Sequence, residues 1–120
     1  MKLSKTQQQL IDQLRHDLEV IRSYPDYDTF YDNCGRDGKD QWQLTTGSRC
    51  NYNYATSERA KANDPKHYEH SKQWFGRVVT EGVMIVYAKT ETTARLEKEG
   101  LIEIVKQARY KGDCEYVIVK

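Results

Sequence analysis

The hydrophobic residues near the start of the chain recur at helical spacing. They follow the i, i+3, i+4 rhythm of one buried helix face and are Leu10, Ile11, Leu14, Leu18 and Ile21. Ser4 and Gln7 have the spacing of a capping box, in which the two side chains bond N–H groups of the first helical turn. Pro25 disfavours helical conformation in the residue before it. The pattern therefore predicts a helix from about Ser4 to Ser23.

A second helix is predicted in the middle of the chain. Asp64 is a good N-cap and Pro65 is favoured at the first helical position. The apolar face then comprises Tyr68, Phe75, Val78 and Val79, with Ser71 on the same face and Trp74 beside it. Gly82 suits the left-handed residue that ends many helices. The apolar run that follows, Val83 to Tyr87, predicts a short buried strand.

The segment between these helices predicts a loop and then a hairpin. Over residues 25–40, Tyr27, Phe30 and Tyr31 can anchor a loop to the core, and two glycines suit turns. Trp42 and Leu44 precede the turn residues 46–49. Apolar and polar residues then alternate through Cys50, Tyr52 and Tyr54, as they do in a strand.

The last third predicts a helix followed by a hairpin. Thr90 can cap a helix that runs to about Glu99, and Gly100 supplies a left-handed residue after it. Residues 101–105 and 114–119 are apolar enough for two strands, joined by 106–113 with a turn at Gly112-Asp113. The chain is thus predicted to be α+β.

The stretch Thr92-Thr93-Ala94-Arg95-Leu96-Glu97-Lys98-Glu99-Gly100-Leu101-Ile102-Glu103 resembles the winged helix-turn-helix superfamily. There, a recognition helix ends in a leucine, charged residues, and a glycine that turns the chain into the wing. The resemblance covers residues 89–119. It implies a winged-helix-like core made of the N-terminal helix, the middle helix, a short recognition-like helix and a C-terminal β-hairpin. Residues 1–120 would form one such domain, with an insertion at about 25–63.

The resemblance also implies a DNA-binding or transcription-regulating role. The recognition-like helix at 89–99 would enter the major groove and the wing at 106–113 would reach the backbone. The contacts carried over are Lys89, Thr90, Thr92, Thr93 and Arg95 on or near the exposed helix face, and Arg109 and Lys111 in the wing. Small proteins of this appearance are also similar to phage or mobile-element accessory proteins.

Two features favour a different, protein-binding role. About 65 residues separate the first helix from the recognition-like helix, where a typical member has little more than one short helix. That insertion is rich in Tyr and Arg, the residue types enriched at protein–protein hot spots. The alternative is an interaction or inhibitor protein that binds a host protein through Arg49, Tyr52, Tyr54 and Arg59. A homodimer is compatible with either role.

Charge does not decide between the two roles. The formal net charge is +1, with −3 over residues 25–48 and +3 over 49–80. DNA-binding domains are usually more basic. The N-terminus lacks the apolar segment of a signal peptide, and no apolar run is long enough to span a membrane. We therefore expect a cytoplasmic protein in which Cys34, Cys50 and Cys114 are thiols.

Catalytic and metal motifs are weak. His67 and His70 have an H-x-x-H spacing, but no closely paired cysteines accompany them, so two surface histidines are expected instead of a zinc site. The acidic loop from Asp32 to Asp40 lacks the oxygen ligands of a calcium loop. No nucleotide-binding or hydrolase motif occurs. The expectation is a non-catalytic binding protein without a cofactor or metal.

Overall fold

The structure is a computed structural model that describes residues 2–34, 54, 56–86, 90–110 and 113–120. Its elements, in chain order, are α1 (Lys5–Arg22), α2 (Tyr27–Cys34), α3 (Ser57–Asn63), α4 (Pro65–Glu81), β1 (Val83–Val86), α5 (Thr90–Lys98), β2 (Ile102–Lys106) and β3 (Glu115–Val119). Helices and one small antiparallel sheet are mixed along the chain. The predicted α+β class is confirmed.

Helix α1 has the predicted boundaries and buried face. Ser4 Oγ accepts from the Gln7 N–H at 3.2 Å, and Gln7 Oε1 accepts from the Ser4 N–H at 2.9 Å, which completes the capping box. The buried apolar side chains are Ile11, Leu14, Leu18 and Ile21, with Leu10 packed at the margin of the core. This face packs against α4 and α5. The capping residues therefore start the helix, and its apolar stripe fixes which side faces the core.

Helix α2 corrects the predicted loop at residues 25–40 over the part that the helix occupies, Tyr27–Cys34. The Asp26 carboxylate accepts from the Thr29 N–H at 2.8 Å, as an N-cap residue does. Tyr27, Phe30 and Tyr31 are buried, and their i, i+3, i+4 spacing is that of a helix face. These aromatic side chains do anchor the segment to the core, as expected, but from a helix.

Helix α3 was not expected within the segment at 25–63. The Thr56 side chain caps it by accepting from the Arg59 N–H at 3.2 Å, and Ala60 is its buried contact. Asp32 of α2 accepts from the Ser57 N–H at 2.8 Å, which ties the two short helices together. The predicted strands around residues 42–54 and the turn glycines Gly35 and Gly38 lie outside the described residues, apart from Tyr54.

Helix α4 and strand β1 follow the prediction closely. Asp64 caps α4, Pro65 is its first residue, and Gly82 ends it with φ of 74°. A Cβ added at Gly82 would lie 3.4 Å from the Val119 carbonyl oxygen, so both conformation and space favour glycine. Every residue of β1 is buried. Tyr87, predicted as its last residue, is outside the described part.

The three strands form an antiparallel sheet in the order β1-β3-β2. Val83 of β1 pairs with Ile118, and Ile102 of β2 pairs with Val119. The predicted C-terminal hairpin is therefore confirmed, and β1 joins it on the far side of β3. The pairing of β2 with β3 is irregular between Ile104 and Lys106, where the hairpin leads into its connecting segment.

The turn between α5 and β2 has the geometry that the glycine predicted. Gly100 has φ of 77°. The Leu101 N–H donates to the Leu96 carbonyl at 3.0 Å, and the Gly100 N–H to the Glu97 carbonyl at 2.9 Å. This pair of bonds is a Schellman motif, which satisfies carbonyls at the end of a helix and reverses the chain.

Candidate nucleic-acid interface

Helix α5 is fastened to the sheet through its inner face. Thr93 and Leu96 are fully buried, and the Thr93 hydroxyl donates to the Glu115 carboxylate on the central strand. Thr93 was expected on or near the exposed face of this helix, and that placement is wrong. A hydroxyl bonded inside the core cannot reach a partner molecule, so Thr93 positions the helix instead.

The outer face of α5 carries mixed charge. Glu91, Ala94 and Lys98 are exposed, whereas Thr92 is half-buried. Arg95 is ion-paired with Glu99 at 3.0 Å, and 36% of its side chain is exposed. Residues 90–99 together have a formal net charge of −1. The helix therefore presents few free cationic groups.

Glu97 links α5 to the sheet edge. Its Oε2 atom accepts from the Ile104 N–H at 2.8 Å. The Lys120 N–H donates to the Leu101 carbonyl, so the backbone groups of residue 101 face β3. Because this direction alternates along an antiparallel strand, residues 102 and 104 direct their backbone groups away from β3. Glu97 therefore accepts a hydrogen bond from a backbone N–H on the outer edge of β2, which could otherwise pair with another strand.

The segment between β2 and β3 is fastened by two carboxylates. Asp113 accepts from the Arg109 N–H at 3.0 Å and from the Cys114 N–H at 2.9 Å. The Arg109 N–H is the main cause of a lowered pKa of Asp113, with smaller contributions from Cys114 and Lys106. At neutral pH Asp113 is therefore ionised. The second carboxylate, Glu115, accepts from the Ala108 N–H at 3.2 Å.

Exposed side chains are concentrated in this connecting segment. Arg109 is 75% exposed, with its Nε atom 3.5 Å from Asp113. Tyr110 is 65% exposed and Val105, at the end of β2, is 46% exposed. Within the described part of the chain, Tyr110 and Val105 are the large hydrophobic residues that face solvent. We call Val105, Lys106, Arg109 and Tyr110 the hairpin patch.

A row of alternating cations and aromatic rings runs from α4 to the hairpin. The Arg77 guanidinium lies 5.2 Å from the Trp74 ring centre, and the Trp74 and Tyr116 ring centres are 5.1 Å apart. The Lys106 ammonium lies 5.0 Å from the Tyr116 ring centre. The helical spacing of Trp74 and Arg77 was visible in the sequence. The edge-to-face contact of Trp74 with Tyr116 was not, because it joins residues far apart in the chain.

The remaining predicted contacts are only partly described. Lys89, Lys111, Arg49 and Tyr52 lie outside the described residues, as does the side chain of Thr90. Tyr54 is half-buried, and its carbonyl accepts from the Tyr31 hydroxyl at 3.0 Å. Arg59 is exposed on α3. The structure therefore does not gather the predicted protein-binding residues into one described surface.

Other chemical groups form no site in the described residues. Of the two spaced histidines, His67 is half-buried and His70 is exposed on α4. No group of three or more His, Cys, Asp or Glu residues in the ranges described is arranged to hold a metal ion. A helix with the length and hydrophobicity needed to cross a membrane is likewise absent from these ranges.

Comparisons with known proteins assign this chain to no family. No family model matches the sequence, and neither the curated proteins nor the solved structures contain a match.

Proposed function

We propose that this chain is a non-catalytic, winged-helix-like protein that binds duplex DNA. The observation that supports this most directly is the continuous unit formed by α5, the Schellman turn at Gly100, and the β2–β3 hairpin. In the winged-helix superfamily that unit places a helix and a wing side by side against DNA.

The packing of α1 is compatible with this architecture. A helix-turn-helix has a supporting helix directly before the recognition helix. In this chain β1 occupies that place in the sequence, whereas α1 contacts both α4 and α5. We propose that α1 supports α5 in place of the helix that precedes the recognition helix in a helix-turn-helix.

The proposal predicts duplex binding that weakens steeply with salt. Phosphate contacts release counterions, so the logarithm of the binding constant falls by about 0.9 for each contact per decade of salt. Fluorescence anisotropy with a labelled duplex of about 25 base pairs, long enough for two helical turns, would measure this slope between about 25 and 200 mM salt. Lys72→Ala, an exposed change on α4, serves as the control. Undetectable binding at the lowest salt would reject DNA as the partner.

A protein partner is the second candidate, and the exposed Tyr110 and Val105 favour it. Tyrosine buries a large area at interfaces at low entropic cost, and arginine often accompanies it. An interaction or inhibitor protein acting on a host protein would use such a surface. A pull-down from host lysate with the full chain, with and without nuclease, separates the candidates. Capture that survives nuclease and is lost in Tyr110→Ala would favour the protein partner.

A further inference from the structure

Charge is divided unequally between the two elements that a winged helix presents to DNA. Residues 90–99, which include α5, have a formal net charge of −1. Residues 106–113, which run from the last residue of β2 to the residue before Cys114, have a formal net charge of +2. Because DNA attracts cations through its phosphates, the field favours approach by the hairpin and disfavours approach by the helix.

The accessibility of the two arginines follows the same trend as the charge, because Arg109 in the hairpin is more exposed than Arg95 on α5. Arg95 on α5 is held by Glu99 at 3.0 Å, and its Nε atom is buried without a hydrogen-bond partner among the described residues. The Arg109 guanidinium contacts Asp113 through its Nε atom at 3.5 Å, and the side chain is 75% exposed. A phosphate could therefore bind the terminal N–H groups of Arg109 without breaking an ion pair as short as that between Arg95 and Glu99.

The hairpin segment is also organised before any partner binds. Asp113 accepts the N–H groups of Arg109 and Cys114, and Glu115 accepts that of Ala108. The Asp113 N–H in turn donates to the Tyr110 carbonyl at 3.0 Å. A segment already ordered loses less conformational entropy on binding, which favours its use as a contact surface.

The apolar members of the hairpin patch suit a groove as well as a phosphate chain. Tyr110, which follows Arg109 in the chain, and Val105, at the end of β2, are exposed as Arg109 is. Proteins that bind the minor groove combine arginine with apolar side chains that contact sugars and base steps. Among the described side chains of α5, Glu91 is exposed and Thr93 is buried, so these side chains are less suited to reading the major groove.

We infer that the hairpin patch, and not α5, makes the main contact with duplex DNA, binding phosphates and the minor groove with little sequence preference. This inference rests on the proposed function and reverses the roles that the helix and the wing were expected to have. It names the residues that matter most: Arg109 for phosphate or groove binding, and Tyr110 for groove contact.

The test compares two arginines on the full chain. Arg109→Ala should weaken binding of a labelled duplex about tenfold and lower the salt slope by about one. Arg95→Ala tests the competing contact through α5 and should change affinity less than twofold if the hairpin patch makes the main contact. Arg109→Lys should recover much of the loss, because it restores the charge without the planar fork. Circular dichroism of each variant shows whether the fold is retained.

Groove preference provides a second measurement. An AT-rich minor-groove ligand such as netropsin should compete with the wild-type chain, and Tyr110→Ala should weaken binding without changing the salt slope. A larger loss in Arg95→Ala than in Arg109→Ala, or no competition by netropsin, would overturn the inference and leave DNA binding in place. Wild-type protein that binds no duplex at low salt, but whose hairpin variants lose a nuclease-resistant protein partner, would reject both proposals.

Discussion

At the scale of single residues, Asp17 is the least expected feature of the core. It lies in the apolar face of α1 and is 1% exposed. Its Oδ1 atom accepts from Gln13 at 2.7 Å, whereas its Oδ2 atom has no hydrogen-bond partner among the described residues. Burial raises the pKa of this carboxyl above its ordinary value of 3.8, and this effect outweighs the Gln13 hydrogen bond and the nearby His16. Ionised Asp17 therefore opposes folding.

This makes a prediction about stability and pH. A carboxyl whose pKa is higher in the folded state binds more protons there, so stability falls as pH rises from the ordinary value through the raised one. Asp17→Asn should remove that fall and be the more stable protein at neutral pH. Urea unfolding from about pH 3.5 to 7.5, a range that brackets the ordinary carboxyl pKa, would measure it.

The same helix offers a matched control for Asp17. Asp12 is exposed and accepts from Gln8 at 2.9 Å, in the same i, i+4 arrangement. Asp12→Asn removes an equivalent hydrogen-bonded carboxylate without removing a buried charge, so we expect only a small effect. Equal pH dependence of the two variants would show that burial of Asp17 is not the cause.

At the scale of elements, left-handed glycines determine where the helices end. Gly82 and Gly100 have positive φ, and each is followed by a strand. A Schellman turn directs α5 into β2, so this position sets how the helix and the hairpin lie relative to each other. Any side chain at Gly100 must take a backbone conformation that L residues rarely adopt.

Two glycines with open surroundings allow this cost to be isolated. A Cβ added at Gly100 or at Gly76 would meet no atom within 4 Å, but only Gly100 has positive φ. Gly100→Ala should destabilise the protein by about 1 kcal/mol. Gly76→Ala, within α4, should stabilise it by about 0.5–1 kcal/mol. Thermal and urea unfolding would show the opposite signs, and destabilisation by both would contradict the explanation.

At the scale of the whole molecule, Glu115 joins three parts of the fold. It is 2% exposed on the central strand β3, bonded to Thr93 of α5 and to the Ala108 N–H between the strands. The row of Arg77, Trp74, Tyr116 and Lys106 joins α4 to β3 and to the end of β2. The helix, the sheet and the hairpin segment are thereby held as one packed unit.

A double-mutant cycle would measure this connection. Glu115→Ala removes the carboxylate that accepts from the Thr93 hydroxyl and from the Ala108 N–H, at a cost of about 1–3 kcal/mol for each bond lost. Thr93→Val removes only the hydroxyl. Because both changes break the same bond, their combination should be less destabilising than their sum by about 1 kcal/mol or more. Glu103→Ala, an exposed change on β2, is the control. Additive effects would show that the Thr93–Glu115 bond does not couple α5 to the sheet.

Local sequence patterns determined most of the secondary structure. Helix ends depend on interactions between neighbouring residues, so they can be predicted from the sequence. Examples are the capping box at Ser4, the helix start at Asp64-Pro65 and the glycines at 82 and 100. The same kind of signal was present for α2, where Asp26 caps a helical aromatic face, but the nearby glycines and acidic residues favoured a loop. The N-cap and the aromatic spacing were therefore enough to indicate α2, and the loop prediction for Tyr27–Cys34 was wrong.

Tertiary structure decided the character of the candidate site. Thr93 is adjacent in sequence to exposed residues, and only the packing of α5 on β3 turns its hydroxyl towards Glu115. Exposure of Tyr110 and the bond between Glu115 and Ala108 likewise depend on how the chain folds. The pairing of Arg95 with Glu99 and the bonds of Asp113 to Arg109 are local, because they join residues four apart in the chain. The sequence therefore determines which charges exist and which lie at i,i+4 spacing, whereas solvent access and contacts between distant segments are set by the packing of the elements.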